Sequence, residues 1–238
     1  MRKSLTVILV TAFVAVSPLI ALAGPITVPP GLHPGDHYRL AFVTSTGRDG
    51  TSTDIADYNA FVISVVTAAP QLAALGTTWS AIASTDTVDA RDNTSTNPLI
   101  STGYPIYNLG GSLVASSNAL LWSASGNISA PIDVNEAGTL QLSSQSYVWT
   151  GTGQYGVKAQ DPWRLGNPRG YSQGAAIGFD GYTNGGWLFV ATADLPVVIP
   201  FYGLSGVLTV VPEPSSMVLA FLAAASLTIV AIRKHWTD

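Results

Sequence analysis

Residues 37–45 read HYRLAFVTS, and residues 54–69, which follow a polar loop, read DIADYNAFVISVVTAA. The first segment alternates and is rich in strand-forming residues. It therefore predicts a central β-strand that places Tyr38, Leu40 and Phe42 on one face. The fold assignment depends on this strand and on the helix that follows it.

The second segment has the residue spacing of an amphipathic helix. Its apolar side chains recur at intervals of three and four positions, which gathers them on one face. Ser52 or Thr53 can cap the start at Asp54, and Pro70 is expected to stop the helix at about Ala69. The side chains expected on the buried face are Ile55, Tyr58, Phe61, Val62, Val65 and Val66.

The rest of the domain is predicted to be short strands and polar loops. One helical turn is expected at 119–122, and the stretches 86–98 and 162–186 are interpreted as loops. Together with the helix, this pattern predicts an α+β fold with short, mostly antiparallel strands. The segments with strand character are 77–84, 105–109, 145–151, 187–191 and 201–210.

Four parts of the domain resemble the C-type-lectin-like fold: residues 37–69, residues 148–151 (VWTG), Trp187, and residues 201–205 (FYGLS). In that family a first strand and helix precede looped β structure, and the last strand returns to lie near the first. The resemblance implies the same arrangement here. The chain departs from the family because it has no cysteine and lacks the Glu-Pro-Asn and Gln-Pro-Asp triplets of the calcium-dependent sugar binders. A β-rich sandwich is the alternative fold.

The first 23 residues have the pattern of a secretory signal peptide. Two basic residues lie near the start, an apolar run follows, and Ala21 and Ala23 form a small-x-small cleavage site before Gly24. An uncleaved membrane helix is the alternative, but Pro18 interrupts the run where a spanning helix would continue. We therefore expect the mature chain to begin at Gly24.

A second apolar segment follows the tripeptide Pro212-Glu213-Pro214. Residues 216–232 carry no charge, and at ~1.5 Å rise per residue they form a helix slightly shorter than a ~30 Å hydrocarbon core. Arg233 and Lys234 follow and are expected to stay cytoplasmic. The predicted organisation is a signal peptide (1–23), a Pro-rich lead-in (24–36), an extracytoplasmic domain (37–211) and an anchor segment (212–238).

The combination of Pro212-Glu213-Pro214, a barely spanning helix and a basic end resembles the PEP-CTERM sorting signal of Gram-negative bacteria. In that family an exosortase, a membrane-embedded cysteine transpeptidase, recognises the tail and cuts near the motif. The resemblance implies export through the Sec translocon, anchoring in the inner membrane, processing, and display at the cell envelope or in the extracellular matrix, where exopolysaccharide is a further expected partner. An ordinary C-terminal anchor behind a Pro-rich linker is the alternative.

The predicted extracytoplasmic domain is acidic and has no cysteine. Between Gly24 and Val211 it carries six basic and twelve acidic residues. Nucleic-acid binding needs many cations to neutralise phosphates, so this balance argues against it. The lack of cysteine removes disulfides, thiolate catalysis and cysteine metal sites, so burial and hydrogen bonds alone must hold the fold.

Asp86, Asp89 and Asp92 recur at every third position and are candidate ligand-binding residues. Such carboxylates can gather around calcium, which takes several oxygen ligands. Aspartates also build turns by bonding nearby backbone amides, and the spacing is not that of an EF-hand. Turn formation is therefore the first interpretation, and calcium is the alternative.

Five tryptophans in the domain offer faces for stacking against sugars. Trp79 and Trp149 lie within predicted strands and are expected in the core. Trp163, in a predicted loop beside Arg164, is the best candidate for exposure and for contact with a ligand.

Histidines are scarce in the domain, which disfavours catalysis. His33 and His37 are separated by Pro34-Gly35, so they cannot form a zinc pair on a helix, and only His37 is placed to serve in a Ser-His-Asp triad. The sequence predicts a non-catalytic surface or matrix protein with a structural or glycan-contacting domain and no firm cofactor. The alternatives are a calcium-dependent lectin or adhesin and, less favoured, a secreted hydrolase; a glycosidase would have to use carboxylates such as Asp133, Glu136 and Asp180.

Overall fold

A computed structural model describes residues 24–141, 146–167, 169 and 174–211, and over this part of the chain the predicted α+β class is confirmed. The helices are α1 (Ile55–Ala68), α2 (Pro70–Ala73), α3 (Ala90–Asn93) and α4 (Asn118–Leu121). The strands are β1 (His37–Val43), β2 (Trp79–Ala81), β3 (Ile106–Asn108), β4 (Leu113–Ala115), β5 (Tyr147–Trp149), β6 (Ala175–Phe179), β7 (Ala191–Ala193), β8 (Tyr202–Ser205) and β9 (Leu208–Thr209).

Strand β1 is the centre of the larger sheet, as predicted. The strand order is β2-β8-β1-β3-β4, and β9 also pairs with β1. β1 runs parallel to β3 and antiparallel to β8, with Ala41 opposite Leu204. The last two strands of the domain therefore both lie beside the first.

The side chains of β1 alternate between two hydrophobic clusters on opposite faces of the sheet. Tyr38, Leu40 and Phe42 pack with α1 in the first cluster. This confirms the predicted alternation, because the side chains on the other face of β1 pack in a separate cluster. Members of that second cluster include Ala41, Val43, Trp122, Trp187 and Tyr202.

Helix α1 covers the first cluster over nearly the predicted range. The predicted cap is wrong: Asp54, and not Ser52 or Thr53, accepts the backbone N–H of Ala56 (2.9 Å). An aspartate in this place satisfies a free amide and meets the positive end of the helix dipole. The buried side chains of the helix are Tyr58, Val62, Val65 and Val66, and Ile55 and Phe61 are partly buried.

A second, antiparallel sheet contains β5, β6 and β7. Trp149 of β5 joins it to the larger sheet, because its backbone forms a bridge with Phe201. The ring nitrogen of Trp149 donates to the carbonyl oxygens of Arg48 and Val197 at 3.2 Å each. This one side chain therefore ties together segments far apart in the sequence.

Several short elements differ from the sequence predictions. β6 lies within 162–186, a stretch whose glycine content predicts a loop. Residues 187–191 are not a strand: a 3-10 turn covers Gly185–Trp187, and β7 begins only at Ala191. α3 lies in the predicted loop 86–98, and β4 was not predicted. Contacts with distant segments set the conformation of these elements, so local periodicity does not reveal them.

The larger sheet has an exit end and a far end. The exit end is where β1 begins and where the chain leaves the domain: the backbone of Val210 bonds those of Gly35 and Asp36 at 2.9 Å each. The far end is where β1 finishes. There Arg48 pairs with Ile199, and α1 begins.

Arg39 is a buried cation near the exit end, and no described carboxylate pairs with it. Its guanidinium donates to the carbonyl oxygens of Thr94 (2.8 Å), Ser205 (3.2 Å) and Ser95 (3.3 Å). Burial lowers its pKa. Arg39→Met leaves these three carbonyls unpaired, so we expect the free energy of unfolding to fall by about 2–4 kcal/mol in urea denaturation.

Lys158→Met is the matched control for this prediction. The exposed ammonium group of Lys158 donates to a single carbonyl oxygen, that of Asp86 (2.7 Å). Its loss is expected to cost less than about 1 kcal/mol. Equal losses in the two variants would contradict the role assigned to Arg39.

Candidate functional site

Both points at which the described domain joins its predicted export signals are packed against the fold. Gly24, expected to follow the signal cleavage site, lies beside Gln71, and Pro25 passes over Gly138. At the other point Val210 is buried and its backbone bonds Gly35 and Asp36, and the chain becomes exposed at Val211 (74%). Among the described residues no helix has the length and apolar character needed to cross a membrane. Outside the described residues lie Ala21, Ala23, Pro212, Glu213, Pro214, Arg233 and Lys234.

The carboxylates of Asp86, Asp89 and Asp92 are not brought together around a common point. Within the ranges that the structure describes, no three His, Asp or Glu side chains are placed to hold a metal ion. The predicted turn-building role is not what the structure shows either: none of the three carboxylates bonds a nearby backbone amide of the described chain, and Asp86 and Asp89 bond residues 78 and 69 positions away. The partners are the guanidinium of Arg164 for Asp86, the backbone N–H of Lys158 for Asp89 (2.9 Å) and the side-chain amide of Asn97 for Asp92 (2.6 Å).

Four of the five domain tryptophans are core residues, which confirms the prediction for two of them. Their rings fill the two hydrophobic clusters and hold no free face for a sugar. The ring of Trp187 lies between two aromatic neighbours, with centroids 5.9 Å from Trp122 and 5.8 Å from Tyr202. The buried tryptophans are Trp79, Trp122, Trp149 and Trp187.

Trp163 is partly buried, in contrast to the predicted exposure. Its ring meets that of Phe189 edge-on, with the centroids 5.4 Å apart. Phe189 also lines a cleft of about 350 Å³, together with Gln154 and the backbone of three glycines. An aromatic edge beside exposed backbone groups is a surface to which a small polar ligand can bind weakly.

Asp180 is a buried carboxyl group that sequence reasoning did not single out as buried. It is 2% exposed, and its Oδ2 atom has no hydrogen-bond partner. Burial raises its pKa to about 7, and the negative charge of Asp133 acts in the same direction. The hydroxyl of Tyr202, also unpartnered, is fully buried close to this charge, and burial raises its pKa.

A larger cleft of about 670 Å³ lies beside α1, lined by apolar side chains that include Phe61 and Val65. Glu136 stands at its edge, where its carboxylate accepts hydrogen bonds from the N–H (2.9 Å) and hydroxyl of Ser45. Asp180 is enclosed in the protein and does not line this cleft. The carboxylates considered for a glycosidase pair are therefore not presented together at this cleft.

Neither histidine of the domain is set up as a catalytic base. His33 is exposed and pairs with Asp36 (3.7 Å). His37 Nδ1 lies 2.9 Å from the hydroxyl of Thr209, and its ring contacts Tyr104. Within the described part of the chain, no histidine contacts both a hydroxyl and a carboxylate, as a triad requires.

The chain also contains the motif Gly170-Tyr171-Ser172-Gln173-Gly174, which the sequence-based expectations did not include. In α/β hydrolases a Gly-x-Ser-x-Gly motif forms a sharp turn between a strand and a following helix. Here strand β6 follows the motif directly, with Gly174 at φ +74°. A strand therefore follows the motif where a nucleophile elbow would have a helix. Ser172 itself lies outside the described residues.

The structure thus offers a small cleft beside Phe189, a larger apolar cleft beside α1 and one buried acidic group, but no assembled catalytic set among the residues it describes. No known family model matches the chain, and no curated protein matches it, so its function has to be inferred from these residues and from the segments that flank the domain.

Proposed function

We propose that this chain is an exported cell-surface or extracellular-matrix protein, sorted and processed through a PEP-CTERM signal by an exosortase. Its domain is non-catalytic and acts as a structural or glycan-contacting module. The observation that carries the proposal is the tail: Pro212-Glu213-Pro214, an uncharged apolar run over 216–232, and then Arg233-Lys234.

The position of the tail relative to the folded domain supports this function. Thr209 is the last residue of β9, and the backbone of Val210 is still bonded to the exit end. The sorting motif begins two residues later, at Pro212. A cut at the motif would therefore fall after the last bonded residue that the structure describes, and would remove none of the described strands.

The finer fold assignment, a C-type-lectin-like domain, is part of the same proposal. Helix α1 directly follows β1, and β8 lies antiparallel beside β1, which is the order expected for that fold. The segment 148–151, which carries part of the resemblance, belongs to the second sheet and its continuation. The absence of cysteines requires that packing around Trp149 and Trp187 replace disulfides in holding the loops.

A non-catalytic role agrees with the chemistry available in the described residues. The carboxylates of Asp86, Asp89 and Asp92 are bonded within the domain, and Asp180 is enclosed. The cleft beside Phe189 is the surface best suited to weak contact with a glycan.

The intact mass and membrane fractionation of the protein from its native host test the sorting proposal. The comparison is between the natural chain and a Pro212→Ala/Glu213→Ala/Pro214→Ala variant. We expect the natural chain to lose the C-terminal helix and to leave the inner membrane, whereas the variant keeps its full mass and stays there.

A control variant, Asp194→Ala, alters an exposed domain residue and is expected to be processed like the natural chain. A full-length tail in the inner membrane for both the natural chain and the motif variant would contradict processing by an exosortase. It would leave a simple anchored protein.

A further inference from the structure

We propose that the exit end of the domain lies on the membrane surface before processing, with Leu99 and Ile100 in contact with lipid. This inference rests on the proposed function, since it takes residues 216–232 as the membrane-spanning segment. The partner is the lipid surface itself.

Leu99 and Ile100 form an apolar tip on the domain. They are 82% and 81% exposed, more than any other large apolar side chain in the described part of the chain. Singly exposed apolar residues are ordinary, but two adjacent ones held outward present a small apolar surface without a partner in the fold.

The loop that carries the tip is fixed in place. The N–H of Leu99 donates to the side-chain oxygen of Asn97 (3.0 Å), and that of Ile100 donates to the backbone oxygen of the same residue (3.0 Å). On the other side, Asn118 donates to the carbonyl oxygens of Ser101 and Thr102 (3.0 and 2.9 Å). The fold therefore holds the two apolar side chains outward.

The tip and the departing chain are at the same end of the larger sheet. The loop leads into β3, which runs parallel to β1, so it enters the sheet where β1 begins. Tyr104, between the tip and β3, contacts the ring of His37 with centroids 5.1 Å apart. His37 in turn pairs with Thr209, one residue before the last bonded residue of the domain.

The link between the domain and the apolar run is too short to hold the domain away from the bilayer. Only Pro212 to Ser215 lie between Val211 and the uncharged segment 216–232. Four extended residues span at most about 14 Å, whereas a domain of this size is roughly 40 Å across. The exit end is therefore confined to the region of the lipid headgroups.

Carboxylates are present at both ends of the sheet. The far end carries Asp49, Asp54 and Glu136. Near the tip, the carboxylate of Asp92 accepts the side-chain amide of Asn97 (2.6 Å), and at the exit end that of Asp36 accepts the N–H of His33 (2.7 Å). The inference therefore rests on the apolar tip and the short link, and not on charge.

The natural absence of cysteine allows an unambiguous test with single labels. Leu99→Cys and Val198→Cys are each labelled with the fluorophore NBD in the full chain, which is then reconstituted into phosphatidylcholine–phosphatidylglycerol vesicles containing spin-labelled lipid. Val198 is the matched control because it is 64% exposed and precedes Ile199 at the far end. We expect loss of NBD emission at position 99 and none at position 198.

The outcomes separate this inference from the function on which it rests. If the protein floats with the vesicles but both labels remain unquenched, the result supports a membrane anchor and overturns the proposed contact of the tip with lipid. A blue-shifted but unquenched label at position 99 that persists in detergent would show a second copy on the tip, and would also overturn the inference. A protein that does not float with the vesicles would overturn both.

Discussion

Replacing Asp180 by asparagine is expected to remove most of the pH dependence of folding stability between about pH 4 and pH 7, and to make the protein more stable at about pH 8. The natural protein should lose roughly 2–4 kcal/mol of unfolding free energy as the pH rises across that window. The cause is one carboxyl group that folding removes from water.

The direction follows from the two protonation states of Asp180. In the folded protein burial raises its pKa to about 7, whereas the unfolded chain titrates near the ordinary value of about 3.9. Between these values the folded protein keeps a proton that the unfolded chain has released. Stability is therefore full below about pH 4, falls as the pH rises to about 7, and changes little above that.

Neighbouring groups leave this direction unchanged. Asp133 also has a pKa raised by burial, so it adds to the loss of stability as the pH rises. Asp49 has a lowered pKa, mainly because Thr51 donates a hydrogen bond to it, and it acts only at more acidic pH. In the Asp180→Asn variant the amide side chain is neutral at every pH, so the free-energy cost of burying a negative charge disappears.

Urea denaturation of the purified protein at about pH 4.5, 6 and 8 measures the effect. Asp194→Asn, which changes an exposed aspartate, is the control and should follow the natural profile. If Asp180→Asn kept the natural slope, the pH dependence would have to come from another group.

The parts of the fold that the sequence predicts are those whose burial leaves a regular pattern. In β1, alternate residues enter two different clusters, and in α1 one stripe faces the sheet. Both periods can be read from the residue types alone. The proposed export signals are also read from residue types alone, because an uncharged run and its basic flank are properties of the chain and not of its packing; they lie outside the described residues.

The remaining features depend on residues that meet only in three dimensions. The neighbours of Asp180 in sequence are Phe179 and Gly181, and they give no sign that its carboxyl group is enclosed beside Tyr202. Trp163 was expected at the surface, but Phe189 covers one of its edges. The candidate cleft beside Phe189 was missed for the same reason.

Strand β6 shows most directly why the sequence misleads. A glycine at position 178 suggests a loop, yet Gly178 lies inside β6. The position requires glycine because the carbonyl oxygen of Trp187 lies against it: a Cβ atom at position 178 would be 1.8 Å from that oxygen. Only glycine permits this approach of two backbones. The residue that requires the glycine is nine positions away in the chain.

Gly178→Ala is therefore expected to be among the most destabilising single substitutions in the domain. The added methyl group must displace the turn Gly185–Trp187, whose tryptophan ring packs against Trp122 and Tyr202 in the second cluster. Because the obstacle is backbone and cannot rotate away, we expect a loss of roughly 3 kcal/mol or more.

The control is Gly185→Ala, in the same turn as Trp187 but facing other residues. The nearest atom to a Cβ atom there is the carbonyl oxygen of Ser125 at 3.5 Å, an ordinary contact distance, so its cost should stay below about 1 kcal/mol. Thermal unfolding followed by near-ultraviolet circular dichroism measures both, since displacement of Trp187 also changes the aromatic signal. Equal melting temperatures for the two variants would mean that the turn moves freely over β6, and that the packing around Trp187 does not hold the second sheet in place.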